Sequence, residues 1–202
     1  FFLVLFLHME QIKEYIRSGN EAAVKKWLSA NKNGLSMVDE DGSTALHFAC
    51  QENQIQMAEL LMKKNASPNI QDAAGWTPFH TAASSRYLEL CKVLLKYDAD
   101  PSLKNNSNST VFGYLGRSAG SENESLQIEL IKTCIDKKLV NISSRNDLGE
   151  TILHTACLRG SKAIINFLLK ESCDVNAVNI RGENSLHYAV RSGHPEFATL
   201  LL

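Results

Sequence analysis

The segment DEDGSTALHFA begins at Asp39, and its plan returns as DAAGWTPFHTA at Asp72, NDLGETILHTA at Asn146 and NIRGENSLHYA at Asn179. Each copy has a Gly, a Thr or Asn two residues on, and an apolar residue followed by His. The step from Gly42 to Gly75 equals the step from Gly149 to Gly182, and that shared step is the period of the chain. A chain written in one repeated unit cannot bury all its apolar side chains in a single irregular core. Each unit is too small to be stable alone, so the units must stack and bury their faces on their neighbours.

The interval from Gly75 to Gly149 is more than twice that step, too long for one period. It hides a degenerate copy, NNSNSTVFGYL, in which Asn108 stands one full period past Gly75. Thr110 keeps the Thr register and Phe112 the apolar one, while Gly113 replaces the His. The distance from Asn108 to Gly149 exceeds one period by roughly two helical turns, so this unit carries an insertion. The polar, Gly- and Ser-rich stretch GRSAGSENES, Gly116 to Ser125, is the expected home of that insertion, with a residue or two more in NISSRND.

The period and the run Thr77, Pro78, Phe79, His80 and Ala82 resemble the ankyrin-repeat family, whose pattern includes T-P-L-H-x-A in a unit of about 33 residues. The resemblance covers nearly the whole chain. It implies an all-α ankyrin solenoid of stacked helix-turn-helix units joined by β-hairpin-like turns, about six units with the last incomplete. Units are expected at about 9–38, 39–71, 72–104, 105–145 with the insertion, 146–178 and 179–202. Residues 1–8 form a separate apolar segment in this reading, and FFLVLFL is far shorter than the ~20 apolar residues that span a membrane. Met9 then opens the first unit. An open apolar run at Leu202 is expected to need a further repeat or packed domain to cover it, so the chain is read as part of a longer protein.

Local chemistry agrees with that plan. Thr44 is placed to cap a short helix ending near Gln51, and Pro78 sits in a first turn, where its missing N–H costs nothing. IQMAELLMKK reads as a second helix; Leu90, Val93 and Leu94, then Ile165, Leu168 and Leu169, repeat its i, i+3, i+4 stripe. In the first unit Gly19 separates two helical patterns. One carries Ile12, Tyr15 and Ile16, the other Ala23, Lys26 and Trp27, with Trp27 read as core.

Lys plus Arg number 21 and Asp plus Glu 22, a balance that supports neither a nucleic-acid nor a membrane-surface footprint. Cys50, Cys91, Cys134, Cys157 and Cys173 are odd in number with no C-x-x-C pair, against a disulfide framework or a zinc site. They fit a reducing compartment, the cytoplasm or nucleus. His47, His80, His154 and His187 recur one per unit rather than converging, so they read as structural. No catalytic motif is present, and no enzyme activity, cofactor, metal, small-molecule substrate or nucleic acid is expected.

What remains is a protein-interaction module. The resemblance implies docking on the concave face, made by turn tips and the exposed ends of first helices. The candidate contacts are Glu40, Asp41, Ser43, Trp76, Ser84, Asp147, Leu148, Glu150, Arg159, Arg181, Glu183 and Arg191. Trp76 and Arg181 lead, because aromatic residues and Arg dominate binding hot spots. The acidic tip residues suit a basic partner segment. LLKESCDVN resembles the signature of ankyrin asparagines modified by an asparaginyl hydroxylase, which makes Asn176 the candidate. The alternative role is a targeting or regulatory segment of a larger enzyme or signalling regulator.

Overall fold

The computed structural model describes residues 2–117, 123–159 and 161–202, apart from the side chains of residues 2–6 and Arg159. Helices α1 (Phe2–Arg17) and α2 (Glu21–Ala30) are followed by pairs: α3 (Ala45–Gln51) with α4 (Ile55–Lys63), and α5 (Pro78–Ser84) with α6 (Leu88–Lys96). Next come α7 (Val111–Leu115) with α8 (Glu124–Asp136), α9 (Ile152–Arg159) with α10 (Lys162–Lys170), and α11 (Ser185–Arg191). A 3-10 turn, Pro195–Phe197, leads into α12 (Ala198–Leu201). Among the described residues there is no extended strand. The chain divides into two compact units, residues 1–106 and 107–202.

In the first unit α1 packs on α3, and α3 on α5. Small residues make the close approach possible, since Ala49, Cys50, Ala82 and Ala83 are buried at the contact. The second helices α4 and α6 carry Leu60, Leu61, Leu90 and Leu94 and pack less closely. Within this unit the first helices therefore lie closer together than the second helices do. The second unit repeats the arrangement, with α7 on α9 on α11 and Ala156, Cys157 and Ala189 at the seam.

Capping defines where each first helix starts. The Thr44 and Thr77 hydroxyls accept the backbone N–H of His47 and His80, and each His returns a ring nitrogen to the cap's own N–H. Asn184 and His187 do the same at α11. Pro78 occupies the first turn of α5 as expected.

Three details differ from the sequence reading. Helix α1 starts at Phe2 and passes through Met9 without a break; Met9, Ile12 and Ile16 are its buried stripe. In α2 the buried residues are Val24 and Trp27, with Lys26 exposed, so the stripe is set one residue later than Ala23. The surplus of the fourth unit is also divided. Residues 118–122 of the predicted insertion lie outside the described residues, but α8 has 13 residues where α4, α6 and α10 have 9. Part of the surplus thus extends a helix, because SLQIELIKTCID keeps its apolar period past the point where the other second helices stop.

Candidate functional site: the turn tips

Each tip is built by one side chain. Asp39 Oδ1 accepts the N–H of Asp41 (3.0 Å) and of Ser43 (2.9 Å), while Gly42 N–H returns to the Asp39 carbonyl (3.1 Å). Asp72, Asn146 and Asn179 repeat the bonds to the residues two and four ahead. The glycine is demanded twice over at Gly42, whose φ is +74° and whose Cβ would stand 2.9 Å from the Ala73 nitrogen.

Within each unit neighbouring tips are tied through their backbones. Ala73 N–H donates to the Asp41 carbonyl (2.8 Å) and Asn106 N–H to Ala74 (3.0 Å). In the second unit Asp147 N–H donates to Ser107 (3.2 Å) and Ile180 N–H to Leu148 (3.0 Å).

The repeated histidines bolt tip to helix. His47 Nδ1 accepts the Thr44 N–H (3.1 Å), leaving Nε2–H to donate to the Trp76 carbonyl (3.0 Å) in the next tip. His154 does the same with Thr151 (3.1 Å) and the Glu183 carbonyl (3.2 Å). This pattern needs the neutral Nε2–H tautomer, and burial lowers the pKa of both rings despite the carbonyl bonds that oppose it. Among the described residues no group of His, Cys, Asp or Glu could hold a metal.

The charged candidates are largely committed to the fold. In the second unit the Tyr188 hydroxyl donates to Glu150 Oε1, and Asn146 Nδ2 donates to Glu150 Oε2 (2.9 Å). Asn179 Nδ2 donates to Glu183 Oε2 (2.9 Å) and to the Tyr188 hydroxyl (2.9 Å). Arg181 (3.0 Å) and Arg191 (2.6 Å) both pair with Glu183, whose carboxyl is held below its usual range first by the Asn179 bond and then by the two guanidiniums. A partner contacting Glu150 or Glu183 meets a carboxylate already satisfied.

Trp76 is half-buried, its ring tilted 6.1 Å from His80 of its own repeat. Ser43 and Ser84 are half-buried, whereas Glu40, Asp41 and Asp147 are exposed. The Arg159 side chain lies outside the described residues. Asn176 is exposed, its N–H donated to Asp174 Oδ1 (3.0 Å).

Apolar exposure is concentrated elsewhere in the tips. Leu148 is 51% exposed and Ile180 71%, on tips joined by their own backbone bond, with Val178 at 46% beside them. The corresponding tips of the first unit carry Glu40, Asp41, Ala73 and Ala74. Val178 is absent from the residues that sequence singles out, and Ile180 enters there only as a tip position free of stacking. The signal was present: Leu148 and Ile180 are large apolar residues in turns whose counterparts are small or charged.

Stacked helical pairs with backbone-tied tips define a solenoid repeat protein. A family model described as ankyrin repeats, three copies, matches residues 13–105 and 119–202. The chain belongs to the ankyrin-repeat family, whose repeats are protein-interaction modules. It is 34% identical to the scaffold protein ILK of Homo sapiens over 64 residues, 32% of this chain and 14% of ILK. It is 36% identical to the serine/threonine-protein kinase TNNI3K of Mus musculus over 83 residues, 37% of this chain and 10% of the kinase. The matches span a small part of those relatives.

Two solved structures share the fold. A chain in the complex of the Bd0816 predatory endopeptidase from Bdellovibrio bacteriovorus with immunity protein Bd3460 aligns at TM-score 0.79 and 24% identity, covering 95% of this chain and 96% of that one. EF0377, an ankyrin repeat protein, aligns at 0.78 and 22%, covering 96% of each. No described helix is long and apolar enough to cross a membrane.

Proposed function

We propose that this chain is a non-catalytic adaptor segment that binds a protein partner on its turn tips and first helices, with Leu148 and Ile180 as the apolar anchor. The observation that carries the reading is the pair of large exposed apolar side chains on adjoining, backbone-tied tips. Exposed apolar groups held on a rigid frame lose little entropy on binding and gain from desolvation. The salt-bridged Glu183, Arg181 and Arg191 form a polar rim beside them, the usual frame of an interaction patch.

This moves the anchor from Trp76, which spends part of its ring on His80, to the second unit. Glu40, Asp41 and Asp147 supply charge for steering a basic partner segment, an effect that salt weakens. Asn176 is accessible enough for the side-chain hydroxylation that its surrounding signature implies. A reducing compartment suits the buried thiols.

The match to part of TNNI3K supports a second reading, in which the same surface targets a larger enzyme to its substrate or regulator. Both readings use the same tips. Site-specific photo-crosslinking in source cells tests the surface: a photoreactive residue at Ile180 captures a protein partner, and one at Lys170 on α10 does not. Capture from Lys170 alone contradicts the tip assignment.

A further inference from the structure

Gly113 is the third residue of α7, the position held by His47 in α3, His80 in α5 and His187 in α11. A Cβ built on it meets nothing within 4 Å. Around this empty place lies a recess of about 50 Å³, lined by Thr110, Gly113, Asn146, Glu150 and Thr155 among others. A single water needs only about 10–15 Å³, so the space is larger than a packing defect.

Arg117 and Arg145 also line it, and two of its polar groups, the Glu150 carbonyl and the Thr110 hydroxyl, correspond to groups that hold an imidazole elsewhere in the chain. The carbonyl after each tip glycine takes two bonds where a His is present. Trp76 C=O accepts Asp72 N–H (2.8 Å) and His47 Nε2–H (3.0 Å), and Glu183 C=O accepts Asn179 N–H (2.9 Å) and His154 Nε2–H (3.2 Å). Glu150 C=O occupies the same place for the fourth repeat and, among the described residues, receives Asn146 N–H alone (3.1 Å). On the opposite side the Thr44 and Thr151 hydroxyls stand 2.9 Å from Nδ1, whereas the Thr110 side chain makes no cap bond.

We infer that this recess is a binding site for a neutral imidazole ring, supplied by a histidine side chain of the protein partner. The ring's N–H donates to Glu150 C=O and its other nitrogen accepts from the Thr110 hydroxyl. The inference rests on the interaction-module reading only for the source of the ring. Asn146 and Glu150, which line the recess, flank Leu148 in sequence, so one segment can reach both.

The test uses thermal unfolding in mildly alkaline buffer with imidazole, 1-methylimidazole or a capped histidine amide as probe. Wild type and Gly113→Ala, which leaves the recess open, show a saturable rise in Tm with imidazole and with the capped histidine. Gly113→His, which fills it, shows none, and 1-methylimidazole, lacking the N–H, gives none in any variant. Amide shifts at Thr110 and Glu150 in wild type report the same binding without relying on a variant. A rise that persists in Gly113→His, or no saturable effect in wild type, overturns the site. Binding of imidazole but not of capped histidine overturns the histidine source. Neither result depends on Leu148 or Ile180, so the tip surface stands or falls separately.

Discussion

His47 and His154 each work by staying neutral. Protonation puts a hydrogen on Nδ1, where the cap N–H needs an acceptor, and places a charge in a buried site. Because their folded pKa values lie below the ordinary ~6.5, the unfolded chain binds more protons between that value and the lowered one. Stability therefore falls as pH drops below about 6.5 and levels off once the folded rings titrate; a urea midpoint measured against pH shows this, and a flat midpoint across that range contradicts it. Burial likewise pushes the thiols of Cys134 and Cys157 up to about 12, and that of Cys50 higher still. Burial raises the Cys173 thiol as well, but that side chain is only half-buried, so in native protein a thiol reagent is expected to modify Cys173 first and slowly, and the other four only on unfolding. The structural role of the histidines was legible from their one-per-unit spacing. The pairing of Glu150 with Tyr188 was not, because those residues stand in different repeats and only stacking brings them together.

Helices of seven to nine residues do not persist alone, so caps and tip glycines decide whether an element forms. Thr77 accepts a helix N–H and Thr110 accepts none, although both stand in the same register. Thr77→Ala is expected to cost about 1–2 kcal/mol and Thr110→Ala about 0.5 kcal/mol or less, read from denaturant midpoints. Glycine tips divide in the same way. Gly42 and Gly182 share a φ of +74°, but an added Cβ meets backbone at Gly42 and nothing within 4 Å at Gly182. Gly182→Ala should cost about 1 kcal/mol from backbone strain alone, and Gly42→Ala clearly more. Short first helices and their caps were readable from the T-P-x-H pattern. The length of α8 was not, since a Gly- and Ser-rich stretch draws the eye to a loop while the surplus turn of helix is written in ordinary apolar spacing.

Across the chain the repeat plan and the family follow from period and motif, and the contact surface does not. Burial in the stack is encoded in every copy, whereas exposure of Leu148 and Ile180 depends on which tip residues remain uncovered once the tips are tied. Charge is the conspicuous cue in sequence, yet Arg181 and Arg191 both pair with the single carboxylate of Glu183 in space. The most direct test measures partner affinity for wild type, for Leu148→Ser combined with Ile180→Ser, and for Lys170→Glu on α10, with folding of each verified by circular dichroism. Each tip substitution removes an anchor of roughly 1–2 kcal/mol, so the double variant should bind roughly thirty-fold to several-hundred-fold more weakly, while Lys170→Glu binds as wild type. Unchanged affinity in the folded double variant, or loss confined to Lys170→Glu, would contradict a docking surface on the tips.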